Sequence, residues 1–317
     1  MTSLRGACVW EIGRRSFLHP HVRLRWNAAE TRLHCVASRS HAIRPPVAFR
    51  EPTAKDVSGK PVRGEDEIVA SDVRQSAITS QAIGVPALEL LLKAIPRDAD
   101  AETYRAAVVD QNLLGLGTAS SREWRFKTLR RLYQLRPKSV LFRALRDLWD
   151  SDPDAHPLLA CLCAMSQDSV FRATASVVIG LQVGEEATSQ DFLAAIDYHF
   201  PGAYSRSTIA ATAQKAYGSW GQTGHLSEAD AGIRRRIRAT CRPENAAYAL
   251  MLGHLQGHRG EALFETIWTQ ILDRTRSEVD DLAFAASQRG MIEYRNAGGV
   301  VEVGFRELLR PMEGELL

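Results

Sequence analysis

The stretch that decides the fold covers residues 188–226 and reads TSQDFLAAIDYHFPGAYSRSTIAATAQKAYGSWGQTGHL. The Thr-Ser pair that opens it predicts a helix over 191–200, since a hydroxyl at this position accepts a hydrogen bond from a free N–H group of the first turn. The Pro-Gly-Ala-Tyr run is typical of a tight turn, and Ser205 then caps a second helix over 206–220. Two helices joined by a turn of roughly four residues have the spacing of a helix-turn-helix.

The C-terminal region repeats this pattern and adds a hairpin. A helix is predicted over 260–274, and Ser277 caps a second helix over 278–289. Gly290 ends that helix. Two apolar or alternating runs then flank the turn Asn-Ala-Gly-Gly at 296–299, which is typical of a β-hairpin. Two helices followed directly by a hairpin have the order of a winged helix.

Upstream of these modules, apolar positions at helical spacing predict a bundle. The predicted helices cover 85–95, 101–110, 122–135, 139–149, 157–165 and 168–183. The helix over 122–135 begins after a cap at Ser120 or Ser121, and its apolar stripe consists of Trp124, Thr128, Leu132 and Leu135. The fold class is therefore predicted to be mainly α: a multi-helix bundle with helix-turn-helix or winged-helix elements and a small C-terminal β-hairpin wing.

The N-terminal segment, residues 1–79, differs in composition from the rest. Residues 1–63 hold 12 Arg and Lys against 4 Asp and Glu, and polar breaks interrupt any apolar period. Such a segment buries too little apolar area to offset the entropy of ordering it. It is interpreted as a disordered basic tail, a transit peptide or an upstream extension from a misassigned start codon. Beyond it we predict a helical bundle over 80–184, a helix-turn-helix region over 185–245 and a winged-helix-like module over 246–317.

The overall charge does not by itself predict a nucleic-acid partner. The formal net charge is +3, and the chain after residue 63 holds 28 basic against 33 acidic residues, so any such prediction depends on local patches. No segment approaches the ~18 consecutive apolar residues of a membrane span, and we expect no membrane association. Cys161 and Cys163 lie in an apolar run and are predicted to be buried. The odd cysteine count and the lack of a recognisable signal peptide favour the cytoplasm.

The sequence offers no catalytic or metal-binding motif. It contains no GxxxxGK[ST] phosphate loop, no GxSxG elbow and no HExxH pair. His254 and His258 are four residues apart, but Gly253, Gly257 and Gly260 interrupt a helix there. We therefore predict that the protein is not an enzyme and takes no cofactor, no metal ion and no small-molecule substrate.

Several short stretches, matching in order and spacing over roughly residues 85–305, resemble the BrxA proteins of bacterial BREX (bacteriophage exclusion) defence systems. They are DQNLLG at 110–115, TASS at 118–121, RRLY at 130–133, DFL at 191–193, Tyr204, Ser205 and Thr208, GQTGHL at 221–226, and SEV at 277–279 with Gly290. This family was earlier described as inner-membrane proteins of unknown function. The resemblance implies a compact helical fold that binds double-stranded DNA and supports phage restriction. The tail lies outside the family's pattern, which favours the misassigned start codon.

Clusters of cations and hydroxyls are the candidate DNA contacts. Cations on a helix neutralise phosphate oxygens, and a helix N-terminus offers free N–H groups to the same oxygens. Acidic residues at 278, 280 and 281 would repel phosphate, so the helix over 278–289 is predicted to pack against protein. The predicted DNA-binding residues are Arg122, Arg125, Lys127, Arg130, Arg131, Lys138, Ser205, Arg206, Ser207, Thr208, Thr212, Lys215, Arg234, Arg235, Arg236 and Arg295.

The function predicted from these patterns is a non-catalytic, DNA-binding accessory protein of a phage-defence system. Its partners would be double-stranded DNA and other defence-system proteins. Two alternatives stay open. The chain would otherwise be a protein–protein scaffold within a defence complex, with scattered charge beside an exposed apolar patch. The third interpretation, an RNA-binding helical module, is separated from the first by competition between duplex DNA and structured RNA.

Overall fold

The computed structural model describes residues 76–230 and 233–310. Over these residues the fold is mainly helical with a small C-terminal two-stranded antiparallel sheet, which confirms the predicted fold class. The helices are α1 (Val85–Ala94), α2 (Ala101–Val109), α3 (Ala119–Tyr133), α4 (Val140–Trp149), α5 (His156–Gln167), α6 (Ser169–Ala173), α7 (Ala175–Gly180), α8 (Ser189–His199), α9 (Arg206–Gln222), α10 (Pro243–Leu255), α11 (Ile267–Gln270) and α12 (Arg276–Gln288). The strands are β1 (Glu186–Ala187), β2 (Arg234–Arg235), β3 (Glu293–Ala297) and β4 (Val300–Gly304).

Two central helices, α5 and α10, organise the core. The α5 helix packs against α1, α3, α4 and α10, and α10 also contacts α11 and α12. Both helices are buried on nearly every side, as expected for a helix without a polar face. Cys161 and Cys163 lie in α5 and are buried as predicted, and burial raises the pKa of the Cys163 thiol to about 12. The two thiols are therefore packing groups.

Two predicted helices are broken in the structure. The helix expected over 168–183 is interrupted at Thr174, whose buried hydroxyl donates to the Phe171 carbonyl (2.6 Å) and accepts from the Trp220 indole N–H (2.9 Å). The helix expected over 260–274 is a 3-10 helix, Gly260–Glu265, followed by α11. Thr266 adopts an extended backbone between them and caps α11, so the continuous prediction was wrong there too.

Residues 76–84 are held between α3 and α9. Ser76 and Ile78 were assigned to the predicted tail, yet both are buried. The Asp168 carboxylate holds this segment in place by accepting hydrogen bonds from the Ser76 hydroxyl and from the Ile78 backbone N–H (3.1 Å). Further along, Lys215 of α9 donates to the Thr79 carbonyl. Residues 1–75 lie outside the described residues, so the interpretations of the tail stay predictions, as do the boundaries at 184 and 245.

The helix pair α8–α9 and the order helix then hairpin at the C-terminus are both present. The α8 and α9 helices pack together, and Ser205 caps α9 as predicted by accepting from the Thr208 N–H (3.2 Å). The α12 helix contacts β3, and the β3–β4 hairpin turns at Gly298 and Gly299, whose φ angles of 60° and 82° suit a two-residue hairpin loop. No helix in the described ranges has the length and apolar character needed to cross a membrane.

Candidate nucleic-acid interface

The α3 helix separates an apolar face from a basic one. Phe126, Leu129, Leu132 and Tyr133 are buried, and α3 packs on α5 through this side. The helix begins at a Thr118 cap, with Ser121 completing a capping box, instead of after Ser120 or Ser121 as predicted. Trp124 was placed in the apolar stripe, but it lies about 90° or more around the helix from the centre of the buried face and is 51% exposed.

The exposed side of α3 carries several positive charges. Residues 122–138 contain seven Arg and Lys and a single acid, Glu123, which accepts a hydrogen bond from Arg105 of α2 (3.0 Å). Lys127 and Arg130 are exposed and make no ion pair or hydrogen bond with any described residue. Arg131 beside them is exposed as well. The charges of Lys127 and Arg130 are therefore available to an anion approaching from solvent.

The loop after α3 extends this basic face. Gln134 and Leu135 both have left-handed backbones, with φ of 63° and 40°, a conformation that costs a non-glycine residue about 1–3 kcal/mol. Leu135 is fully buried, and the Gln134 side chain donates to Gln167 of α5 (2.5 Å), so the loop is fixed at both residues. The exposed Arg136 and Lys138 follow directly. We define the α3 surface as its exposed cations: Lys127, Arg130, Arg131, Arg136 and Lys138.

Two predicted DNA contacts of α3 turn toward the protein. Arg125 donates to the Gln81 side chain (2.8 Å) and its guanidinium packs on Gly84, so burial lowers its pKa. Arg122 is half-buried, and its shielded Nε has no hydrogen-bond partner among the described residues. Neither arginine joins the α3 surface.

The predicted DNA contacts on α9 also divide into residues that are exposed and residues that pack against the protein. Ser205, Arg206 and Ser207 are exposed at its N-terminus, and Thr208 is half-buried. Thr212 is fully buried and donates to the Thr208 carbonyl. The Lys215 ammonium is bound to the Thr79 carbonyl (2.8 Å). The prediction that Thr212 and Lys215 face DNA is therefore corrected, because packing of α9 on the protein takes up the side of the helix that bears them.

The run of three arginines at 234–236 does not form a basic patch. Arg236 is buried, donates to the Val178 carbonyl (2.8 Å) and pairs with Asp273 (2.9 Å), so it is not available to phosphate. Arg235 is exposed but pairs with Glu186 (2.6 Å). Arg234 donates to the Ser227 carbonyl (2.6 Å) and also lies over the Tyr217 ring. Alternation along a strand turns neighbouring side chains to opposite faces, which explains their different environments.

The C-terminal module offers one exposed predicted cation. Arg295 lies on β3 opposite Glu302 of β4 and is exposed. The solvent-facing side of α12, the helix before the hairpin, bears no cation and consists of Ser277, Asp281, Phe284 and Gln288. The helix is capped by Thr275 in place of the predicted Ser277, with Glu278 in the capping box. Arg276 is paired with Glu261 (2.8 Å).

The described residues contain no cluster of three or more His, Cys, Asp or Glu side chains arranged to hold a metal ion. His254 instead packs on the Phe305 ring, with centroids 4.8 Å apart. The chain matches no model of a known protein family, and no curated protein is significantly similar to it. The resemblance to the BrxA family therefore stays a prediction that rests on the residues quoted for it.

Proposed function

We propose that the chain is a non-catalytic DNA-binding accessory protein that binds the duplex backbone through the α3 surface. The observation that carries this proposal is a helix and the loop after it with exposed cations and one acid, Glu123, that pairs with Arg105. Each phosphate neutralised by such a cation releases condensed counterions, which supplies most of the free energy of sequence-independent DNA binding. Lys127 and Arg130 lie about 4.5 Å apart along the helix axis, so adjacent phosphates are within reach of both.

Binding through this surface is expected to be nearly independent of sequence. Bases are discriminated by polar side chains that reach their edges in a groove. Beyond Ser207, the exposed side of α9 is formed by Ala210, Ala211 and Gln214, and the Gln214 amide donates to Ser189 (2.8 Å). The helix that would read the groove thus has few free polar groups, whereas the α3 surface has charge.

We also propose a role in phage defence. Its support comes from the sequence and not from the α3 surface. It rests on the order and spacing of the stretches that resemble BrxA proteins. In that role the protein would hold duplex DNA for other proteins of a BREX-like system.

The proposal is tested by a salt series. The full chain is titrated onto a labelled duplex at 50–300 mM salt (roughly the range over which phosphate contacts weaken strongly), with unlabelled structured RNA as competitor. We expect affinity to fall steeply and linearly on a double-logarithmic plot, and duplex to resist displacement by RNA. A flat response, or no retention of duplex at the lowest salt, would contradict the proposal. Displacement by RNA at equal nucleotide concentration would favour the RNA-binding alternative.

The strongly basic segment 1–63 lies outside the described residues and would also attract DNA. The unaltered chain therefore tests whether DNA binds, and substitutions within the α3 surface test where it binds. Both arms use the full chain, so the contribution of the tail is the same in each comparison.

A scaffold role is the second candidate, and one observation favours it. Phe284 is 57% exposed at the centre of the solvent-facing side of α12, beside Asp281 and without a cation. A large exposed aromatic side chain is a typical anchor of protein interfaces. If this face binds a protein, Phe284→Ala should weaken recovery of that protein and leave duplex affinity unchanged.

A further inference from the structure

Trp124 differs from the other tryptophans that the structure describes. It is 51% exposed, whereas Trp149, Trp220 and Trp268 are 3% exposed or less. The indole N–H groups of Trp220 and Trp268 donate to Thr174 and Gln256, but that of Trp124 has no partner among the described residues. Leaving half of so large an apolar side chain in water forgoes part of the free energy that its burial would contribute. The Trp124 ring on α3 therefore contributes less to the packing of the protein than the buried tryptophans do, and it is accessible from solvent.

The position of Trp124 relates this ring to the α3 surface. Residues 124, 127 and 131 lie within about 60° of one another around a helix, so Trp124, Lys127 and Arg131 form one stripe about 10 Å long. All three are exposed. An aromatic platform beside cations is the arrangement by which proteins hold single-stranded nucleic acid, because the ring stacks on a base while the cations follow the backbone.

An intact duplex cannot use the Trp124 ring in this way. Its base faces are covered by the neighbouring pairs, and only base edges are open in the grooves. An unpaired base, as at a bulge, a fork or a flipped-out nucleotide, offers a face. The ring therefore adds free energy to binding only where a base has left the stack.

We propose that Trp124 stacks on an unpaired nucleobase held beside the α3 surface, so that the chain prefers DNA containing an unpaired base over intact duplex. This inference rests on the proposed function and adds a preference for one class of substrate. Stacking of a base on an aromatic side chain contributes about 1–3 kcal/mol, which corresponds to roughly 5- to 150-fold in affinity.

The test compares three probes of equal length and sequence: an intact duplex, the duplex with one bulged base, and the same bulge with an abasic nucleotide. The abasic probe keeps the backbone charge and flexibility and removes only the base. The full chain should bind the bulged base at least about fivefold more tightly than either of the other probes. Binding of that probe should quench tryptophan fluorescence more than binding of the other two, and this difference should disappear in Trp124→Phe.

Three variants make the result specific. Trp124→Ala should abolish the preference while leaving affinity for intact duplex within about twofold, since the cations remain. Trp124→Phe should retain part of the preference because a ring is still present. Leu90→Ala on α1 is the matched control: Leu90 is also 51% exposed, and its removal should change nothing.

Failure of the inference and failure of the proposed function give different results. If the full chain binds the bulged and the abasic probes alike, or if Trp124→Ala weakens binding to all three probes equally, the stacking role is overturned while duplex binding stands. If the unaltered chain retains none of the probes, both are overturned.

Discussion

At the scale of the residue, the cations of this chain fall into two groups that look alike in the sequence. Arg236 and Lys215 are bound by acceptors that lie far away along the chain, the carboxylate of Asp273 and the carbonyl of Thr79. Lys127 and Arg130 have no such partner among the described residues. Residue type and spacing predicted both groups as DNA contacts, because a local pattern does not reveal which distant acceptor tertiary structure will bring close.

This division predicts opposite effects for two arginine substitutions. Arg236→Ala removes a buried partner of Asp273 and leaves the Val178 carbonyl unsatisfied, so it should lower the free energy of unfolding by about 3 kcal/mol. Arg130→Ala should change that free energy by less than about 0.5 kcal/mol and weaken duplex binding. Urea unfolding and a gel-shift titration measure the two quantities.

The stability and binding measurements on these two variants can also contradict the assignment of Arg236 and Arg130. If Arg236→Ala folded with near-normal stability and bound DNA poorly, Arg236 would be a DNA contact and the assignment of buried and exposed cations would be wrong. Arg295→Ala, at an exposed position on the hairpin, serves as a reference for an arginine removed without structural consequence.

At the scale of the element, amphipathic helices were predictable, whereas of the two fully buried helices α5 was predicted and α10 was not. The sequence pattern predicts α1, α4, α8 and α9 to within a few residues because each has an apolar stripe beside a polar side. It does not predict α10, which is apolar all round and so gives no periodic signal. The breaks at Thr174 and Thr266 were also missed, since their hydroxyl bonds compete with the regular helix.

The candidate site was likewise only partly predictable from the sequence. The cation-rich α3 helix was identified because its charges lie close together in the sequence and lack acidic neighbours. The exposure of Trp124 was missed, since an aromatic residue at helical spacing from other apolar residues is normally buried. The packing of α3 on α2 and α5 fixes which side of the helix faces solvent.

The corrected start of α3 can be tested directly. Thr118→Ala removes the hydroxyl that accepts from the Ser121 N–H (3.1 Å), so it should destabilise the protein by about 1 kcal/mol. Ser120→Ala, two residues later at an exposed helical position, should change stability by less than about 0.5 kcal/mol. Both variants are compared by urea unfolding. The reverse order of effects would restore Ser120 as the cap.

At the scale of the whole molecule, a small net charge is compatible with a strongly basic patch. The formal charge is +3, and the chain beyond residue 63 is slightly acidic. Many of its cations are neutralised in pairs such as Arg97–Asp150, Arg238–Glu278 and Arg306–Glu293. The α3 surface stands out because residues 122–138 contain seven Arg and Lys and a single acid, Glu123, which is paired with Arg105. Distribution of charge, not its total, therefore supports the proposed binding of DNA.

The most direct test is the salt dependence of duplex binding after charge reversal. Lys127→Glu combined with Arg130→Glu alters the α3 surface, and Lys93→Glu combined with Arg306→Glu makes the same change in net charge at exposed positions elsewhere. The slope of log affinity against log salt should become shallower by about 2 in the first variant, since each lost phosphate contact removes about 0.9. It should be unchanged in the second. Equal slopes in the two double variants would contradict the assignment of DNA binding to the α3 surface.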